Sequence, residues 1–91
     1  MSSPADSLPE RILQLYGRPG CHLCDDARAV VQRIAADHAF VLQEVDIESD
    51  DALLKAYLER IPVLVLDGQE LYDFFVDEAD LRTRLSAGAT H

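Results

Sequence analysis

With 91 residues, 48% of them apolar and 27% charged, the chain has room for one small domain around one hydrophobic core, and its composition argues against wholesale disorder. Seventeen acids against eight Lys and Arg residues give a formal net charge of −9, which nucleic-acid phosphates and anionic lipid surfaces would repel, so neither is an expected partner. No apolar run approaches the roughly 20 residues of a membrane span, and the start MSSPADSLPE carries neither the basic beginning nor the apolar stretch of a secretion signal.

A cytoplasmic protein acting as a monomer is therefore the expectation. Residues 1–10 read as a mobile leader, residues 11–86 as the folded domain and residues 87–91 as a C-terminal tail. No repeat or low-complexity segment divides the chain.

In chain order, RILQLYG (11–17) is a short apolar run closed by glycine and reads as a buried strand. After Pro19-Gly20 the period changes. Cys24, Ala27, Val31, Ile34 and His38 recur at helical spacing, while Arg28, Gln32 and Arg33 fall largely off that stripe. Asp25 and Asp26 lie in the first turn, where negative charge suits the helix dipole. AFVLQEVDI (39–47) is rich in strand formers. Ser49, Asp50 and Asp51 open a second helix carrying Leu53, Leu54, Tyr57 and Leu58, with Pro62 as its stop. PVLVL then reads as a strand, Asp67-Gly68 as a tight turn and ELYDFF as the hairpin partner. Asp77 is placed to cap a last helix through Leu85, with Val76 and Leu81 at the two positions of a hydrophobic staple.

The order is β-α-β-α-β-β-α. Its first two strands and the helix between them make a βαβ unit, which calls for parallel pairing and a right-handed crossover. The final hairpin adds an antiparallel edge. The expected fold is α/β, a four-stranded mixed sheet with helices on both faces.

The chemistry concentrates in RPGCHLCDDA (18–27), which holds Cys21 and Cys24, the chain's two cysteines. Spacing of i, i+3 at a helix start brings two Cα atoms within the usual disulfide range of about 4.4–6.8 Å. The sulfurs are not equivalent. Cys21 ends the loop, where free backbone N–H groups and the positive end of the dipole favour a thiolate; such places lower a thiol pKa from about 8.5 into the range of roughly 3.5–7.5. Cys24 lies on the apolar stripe, where burial favours the thiol. Cys21 is thus the attacking sulfur and Cys24 the resolving one. Arg18 supports the thiolate, Asp25 and Asp26 oppose it, and His22 helps only if protonated.

Two other readings compete. Tetrahedral zinc wants four ligands and this pair supplies two, the rest having to come from His22, His38, His91 or acids. Free cysteines are also often inert core residues, although Cys21 follows Pro-Gly in an expected turn. Neither metal nor organic cofactor is expected.

LYGRPGCHLCDDA after the first strand and RIPVLVLDG further on resemble the glutaredoxin-like proteins of the thioredoxin-fold superfamily, over roughly residues 11–86; GCHLCDDA resembles a small branch of them. The resemblance implies a cis proline at Pro62 facing the cysteines, with Ile61 offering backbone groups to an extended substrate. It implies thiol–disulfide oxidoreduction on a disulfide-containing protein or small thiol compound, and a reductant to recycle the pair. Arg18, Arg60 and Asp77, with His22 inside the motif, are the further candidate substrate-binding residues. Here His22 and Leu23 replace the proline and aromatic residue common between the cysteines, and Phe74, Phe75 and Val76 stand where glutaredoxins carry a glycine pair. Glutathione is therefore expected to bind weakly, with a protein dithiol the better reductant. The alternative function is a non-catalytic binding module with vestigial cysteines.

Overall fold

The structure, a computed structural model, describes residues 11–88, with side chains through Ser86. The expected leader and residues 89–91 lie outside the described residues.

Strand β1 (Ile12–Gly17) leads through a Pro19-Gly20 turn into helix α1 (His22–Ala35), followed by β2 (Val41–Asp46), a 3-10 turn (Ile47–Ser49) and α2 (Asp51–Tyr57). Strands β3 (Val63–Leu66) and β4 (Gln69–Asp73) form a hairpin before α3 (Glu78–Gly88). The sheet order is β2-β1-β3-β4. Strands β1 and β2 are parallel, and β3 runs antiparallel to both β1 and β4. This is the expected order and the expected mixed sheet.

Alternation along β1 decides how the layers form. Leu13 and Leu15 are buried on one face and meet Ala27, Val31 and Ile34 of α1, Leu64 and Leu66 of β3, and Leu81 and Leu85 of α3. Tyr16 points the other way, to a smaller cluster in which Leu53, Leu54 and Tyr57 of α2 surround Ile47, Ile61 and Cys24. Helices therefore cover both faces, and β3, central and covered on both sides, is buried at every residue, Val63 through Leu66. Such a strand reads as a continuous apolar run rather than an alternating one.

Several boundaries differ from those read off the sequence. Helix α1 ends at Ala35, so His38 lies in the following turn, where its N–H still donates to the Ile34 carbonyl (3.0 Å). Asp46, with its carboxylate accepting from the Glu48 N–H (2.8 Å), starts the 3-10 turn that absorbs Ser49; Asp50 then caps α2, accepting from the Ala52 and Leu53 N–H groups at 2.7 and 3.3 Å. Helix α2 ends at Tyr57, so Pro62 is not its direct stop; a turn through Leu58–Arg60 intervenes, with the Arg60 and Ile61 N–H groups on the Tyr57 carbonyl. Asp67 and Gly68 sit at positive φ (50° and 87°), the geometry of a two-residue hairpin turn. Phe74 and Phe75 leave β4: Phe74 takes φ 70° and donates its N–H to the Pro62 carbonyl (2.8 Å), after which both rings are exposed. Asp77 does cap α3, accepting from the Asp80 N–H at 3.0 Å, and Val76 and Leu81 are buried together as the staple requires. The helix continues past Leu85 to Gly88, a common place for a helix to stop.

Candidate active site

Cys21 is the N-cap of α1. Its extended backbone (φ −92°, ψ 111°) directs Sγ back over the helix start, where it accepts from the Cys24 N–H at 3.1 Å. Cys21 and Cys24 are joined as a disulfide, their Cα atoms 5.2 Å apart, within the range expected from i, i+3 spacing. The two differ in burial as expected: Cys21 is half-buried and Cys24 is 1% exposed. A loop ending on a turn of helix produces this, because the cap residue lies at the rim while the residue one turn later faces the core.

The structure brings only some of the other candidates to the dithiol. Ile61 is buried in the same cluster as Cys21 and Cys24, and the Ile61-Pro62 peptide is cis. The Ile61 N–H is committed to the Tyr57 carbonyl (3.1 Å), so the backbone group left for a substrate there is the carbonyl. His22 is exposed beside Cys21. Arg18 lines a cleft with Cys24 and lies 3.7 Å from Glu48.

Arg60, by contrast, is turned toward β4. It pairs with Glu70 and, at 3.4 Å, with Asp73, and it lies 5.4 Å over the Tyr57 ring, which in turn stacks on Tyr16 at 4.8 Å. The hydrogen bond to Glu70 raises its pKa further above the ordinary arginine value. Asp77 is occupied by the α3 cap. Asp25, read as opposing the thiolate, is held by Arg28 at 2.9 Å; Arg28 also reaches Glu44 at 2.7 Å, and its pKa is raised by the hydrogen bonds to Glu44 and then Asp25. Part of the opposing charge is thereby neutralised locally.

Two surfaces flank the pair. On the β2 side is a cleft of about 220 Å³ lined by Gly17, Arg18, Pro19 and Cys24 with Arg28 and Glu44 across it. On the other side, a smaller groove runs between α1 and the segment before α3, lined by Leu23, Asp26, Ala27, Val30, Phe74, Phe75 and Val76. Leu23, Phe74 and Phe75 are half or more exposed. Sequence reasoning missed this groove because it assigned both phenylalanines to a strand. It missed Gly17 as well, although a glycine inside a strand signals a close approach of something else. Among the described residues there is no group of three or more His, Cys, Asp or Glu side chains arranged to hold a metal ion, and no helix long and apolar enough to cross a membrane.

The glutaredoxin-like domain family (DUF836) matches residues 12–86. Among solved structures, the chain is similar to protein Ne2328 from Nitrosomonas europaea, at 30% identity and a TM-score of 0.74, covering 93% of this chain and 99% of that one. A structural-genomics target protein from X. campestris is 41% identical with a TM-score of 0.68, covering 82% of this chain and 96% of that one. A mutant thioredoxin from Halobacterium salinarum, 23% identical over 96% of this chain and 81% of its own with a TM-score of 0.67, shares the fold. A thioredoxin-like α/β fold with an adjacent cysteine pair at a helix start supports a redox-type function.

Proposed function

The chain belongs to the glutaredoxin-like domain family, and on that premise we propose that it is a thiol–disulfide oxidoreductase working through Cys21 and Cys24. The observation that carries this reading is the unequal pair: a half-buried sulfur at the helix N-terminus bonded to a fully buried one a turn later. In the reduced protein the Cys21 thiolate attacks one sulfur of a substrate disulfide. A Cys21–substrate bond forms and the other substrate sulfur leaves as thiolate. Cys24, losing its proton to solvent, then attacks Cys21 Sγ; the intramolecular bond forms and the second substrate thiolate leaves. Two electrons have passed from the dithiol to the substrate, and an external reductant must return them.

The helix start favours the Cys21 thiolate through the Cys24 N–H and the dipole. Ile61, which packs in the cluster of the two cysteines, and Pro62 are the proposed wall for an extended thiol-bearing segment, with exposed His22 next to Cys21 as a further proposed contact. Glutathione is the weaker candidate reductant. Its carboxylates need cations, and Arg18 and Arg60 are already engaged with Glu48, Glu70 and Asp73. A protein dithiol, or a thioredoxin-type reductase, is the proposed recycler.

The test is turnover of a small disulfide by purified protein with two recycling systems in parallel, glutathione with its reductase and a thioredoxin-type reductase. Turnover favouring the protein reductase is expected. Efficient turnover with glutathione at micromolar concentration would restore an ordinary glutaredoxin assignment, and no turnover in either would leave a binding module with vestigial cysteines.

A further inference from the structure

Gly17 closes β1 immediately before the redox loop. A Cβ placed on it would lie 2.8 Å from Cys24 Sγ and 3.2 Å from Cys24 Cβ, the first closer than real Cβ contacts come. Backbone freedom is not the reason for glycine here, since the described glycines at positive φ are Gly20 and Gly68. The reason is the sulfur opposite.

How much that sulfur can yield depends on its oxidation state. In the disulfide, Cys24 Sγ is bonded to Cys21 Sγ, which itself accepts from the Cys24 N–H, so it cannot swing away. In the dithiol it is free to turn about its own Cα–Cβ bond, and the cleft lined by Gly17, Cys24 and Arg18 lies beside it. The tight contact with Cys24 Cβ is common to both states and cancels between them. The contact with Sγ does not.

We propose that Gly17 is a positioning residue for the redox pair: the missing side chain is what lets Cys24 Sγ occupy its disulfide position, and any side chain at this place shifts the pair toward the dithiol. This rests on the redox reading above. The equilibrium concerned is protein dithiol plus an external disulfide giving protein disulfide plus two external thiols, with two electrons and two protons leaving the pair.

The experiment equilibrates wild type, Gly17→Ala and Gly68→Ala with graded mixtures of oxidised and reduced dithiothreitol, and reads the disulfide fraction by alkylation and mass. For Gly17→Ala the equilibrium constant for forming the protein disulfide is expected to fall tenfold or more, equivalent to a potential about 30 mV less negative. Gly68→Ala, strained at positive φ but remote from the pair, should lower the melting temperature of both redox forms and leave the equilibrium where it was. An unchanged equilibrium in Gly17→Ala overturns the inference. A wild type that forms no disulfide anywhere in the range overturns the redox reading itself, a distinguishable result. Should Gly17→Ala fold only when reduced, Gly17→Ala/Cys24→Ala decides: a folded double variant shows that the sulfur is the obstacle, and an unfolded one rejects the proposal, as does a Gly17→Ala that folds in neither redox state.

Discussion

At the start of α1 the atom that receives a backbone N–H is Cys21 Sγ, 3.1 Å from Cys24 N; at the start of α3 it is Asp77 Oδ1, 3.0 Å from Asp80 N. Both span three residues and satisfy the same kind of orphan donor. Both are followed by a first turn containing acid, Asp25 in one and Glu78 and Asp80 in the other. A carboxylate in this place can only accept. A sulfur accepts poorly as a disulfide and well as a thiolate, so the same kind of backbone group that caps α3 would, at α1, favour the thiolate proposed for Cys21. A helix N-terminus thus supplies the electrostatics, and the capping element decides whether chemistry follows.

The largest effect should come from making the first cap resemble the second. Cys21→Asp preserves an acceptor at the N-cap and removes the sulfur proposed as the nucleophile. Disulfide exchange is expected to vanish, while the unfolding free energy of the variant stays within about 1 kcal/mol of the reduced wild type. Denaturant unfolding beside the exchange assay measures both. A residual exchange rate comparable to wild type would take the nucleophile away from Cys21.

A smaller effect is expected at the carboxylate caps. Asp77→Ala and Asp50→Ala each remove a capping acceptor, Asp50 serving two N–H groups, and each should cost about 1 kcal/mol of stability. Neither should alter the dithiol–disulfide equilibrium, and a shift in it with Asp77→Ala would mean that the cap of α3 takes part in the redox site.

The smallest concerns a carboxylate that caps a strand instead of a helix. Asp67 accepts from the Ile12 N–H at 2.8 Å and pairs with Arg11 at 2.6 Å. Burial pushes its carboxyl up, but the Ile12 N–H and the Arg11 guanidinium outweigh it and hold the carboxyl below its usual value. A folded-state pKa below the unfolded one gives stability that is present above the unfolded value, about 3.9, and lost as pH falls through the folded one. Asp67→Asn, which keeps a residue tolerant of positive φ, should therefore cost up to about 1 kcal/mol near pH 7, screened by solvent at this exposed pair. The gap from wild type should close as the pH falls below about 4, through the lowered folded value. A gap that stays constant with pH would assign the loss to geometry and not to charge.

The elements themselves were legible in the sequence for identifiable reasons. Helix α1 announced itself through Cys24, Ala27, Val31 and Ile34, because a buried stripe must recur every turn. The hairpin was legible because Asp67-Gly68 is suited to positive φ at both positions. The cysteine pair and its asymmetry followed from placing a cap and a core position three residues apart. What the sequence did not reveal is which partner each of these side chains meets once the chain is folded. Arg60 looked available for an anion until Glu70 and Asp73 met it across β4, and Asp25 looked like an opposing charge until Arg28 took it. Phe74 and Phe75 carry strand propensity, yet the turn imposed by the Phe74 N–H on the Pro62 carbonyl ends the strand first. The closeness of Gly17 to Cys24 has a local cause but needs the packing of β1 on α1 to be seen.

The sheet order also has a bearing on how copies of this chain meet. An open sheet running β2-β1-β3-β4 leaves β2 and β4 as its margins, and a margin is a template on which a strand of another molecule can pair. On β2 the outward residues include Gln43, Glu44 and Asp46, and on β4 they include Gln69 and Glu70, with a register irregularity opposite them between Leu64 and Val65. Glu44 and Glu70 are each paired with an arginine, Arg28 and Arg60, so a second copy approaching edge to edge would meet Asp46 and a chain already at −9. That net negative charge thus opposes intermolecular strand addition at both edges.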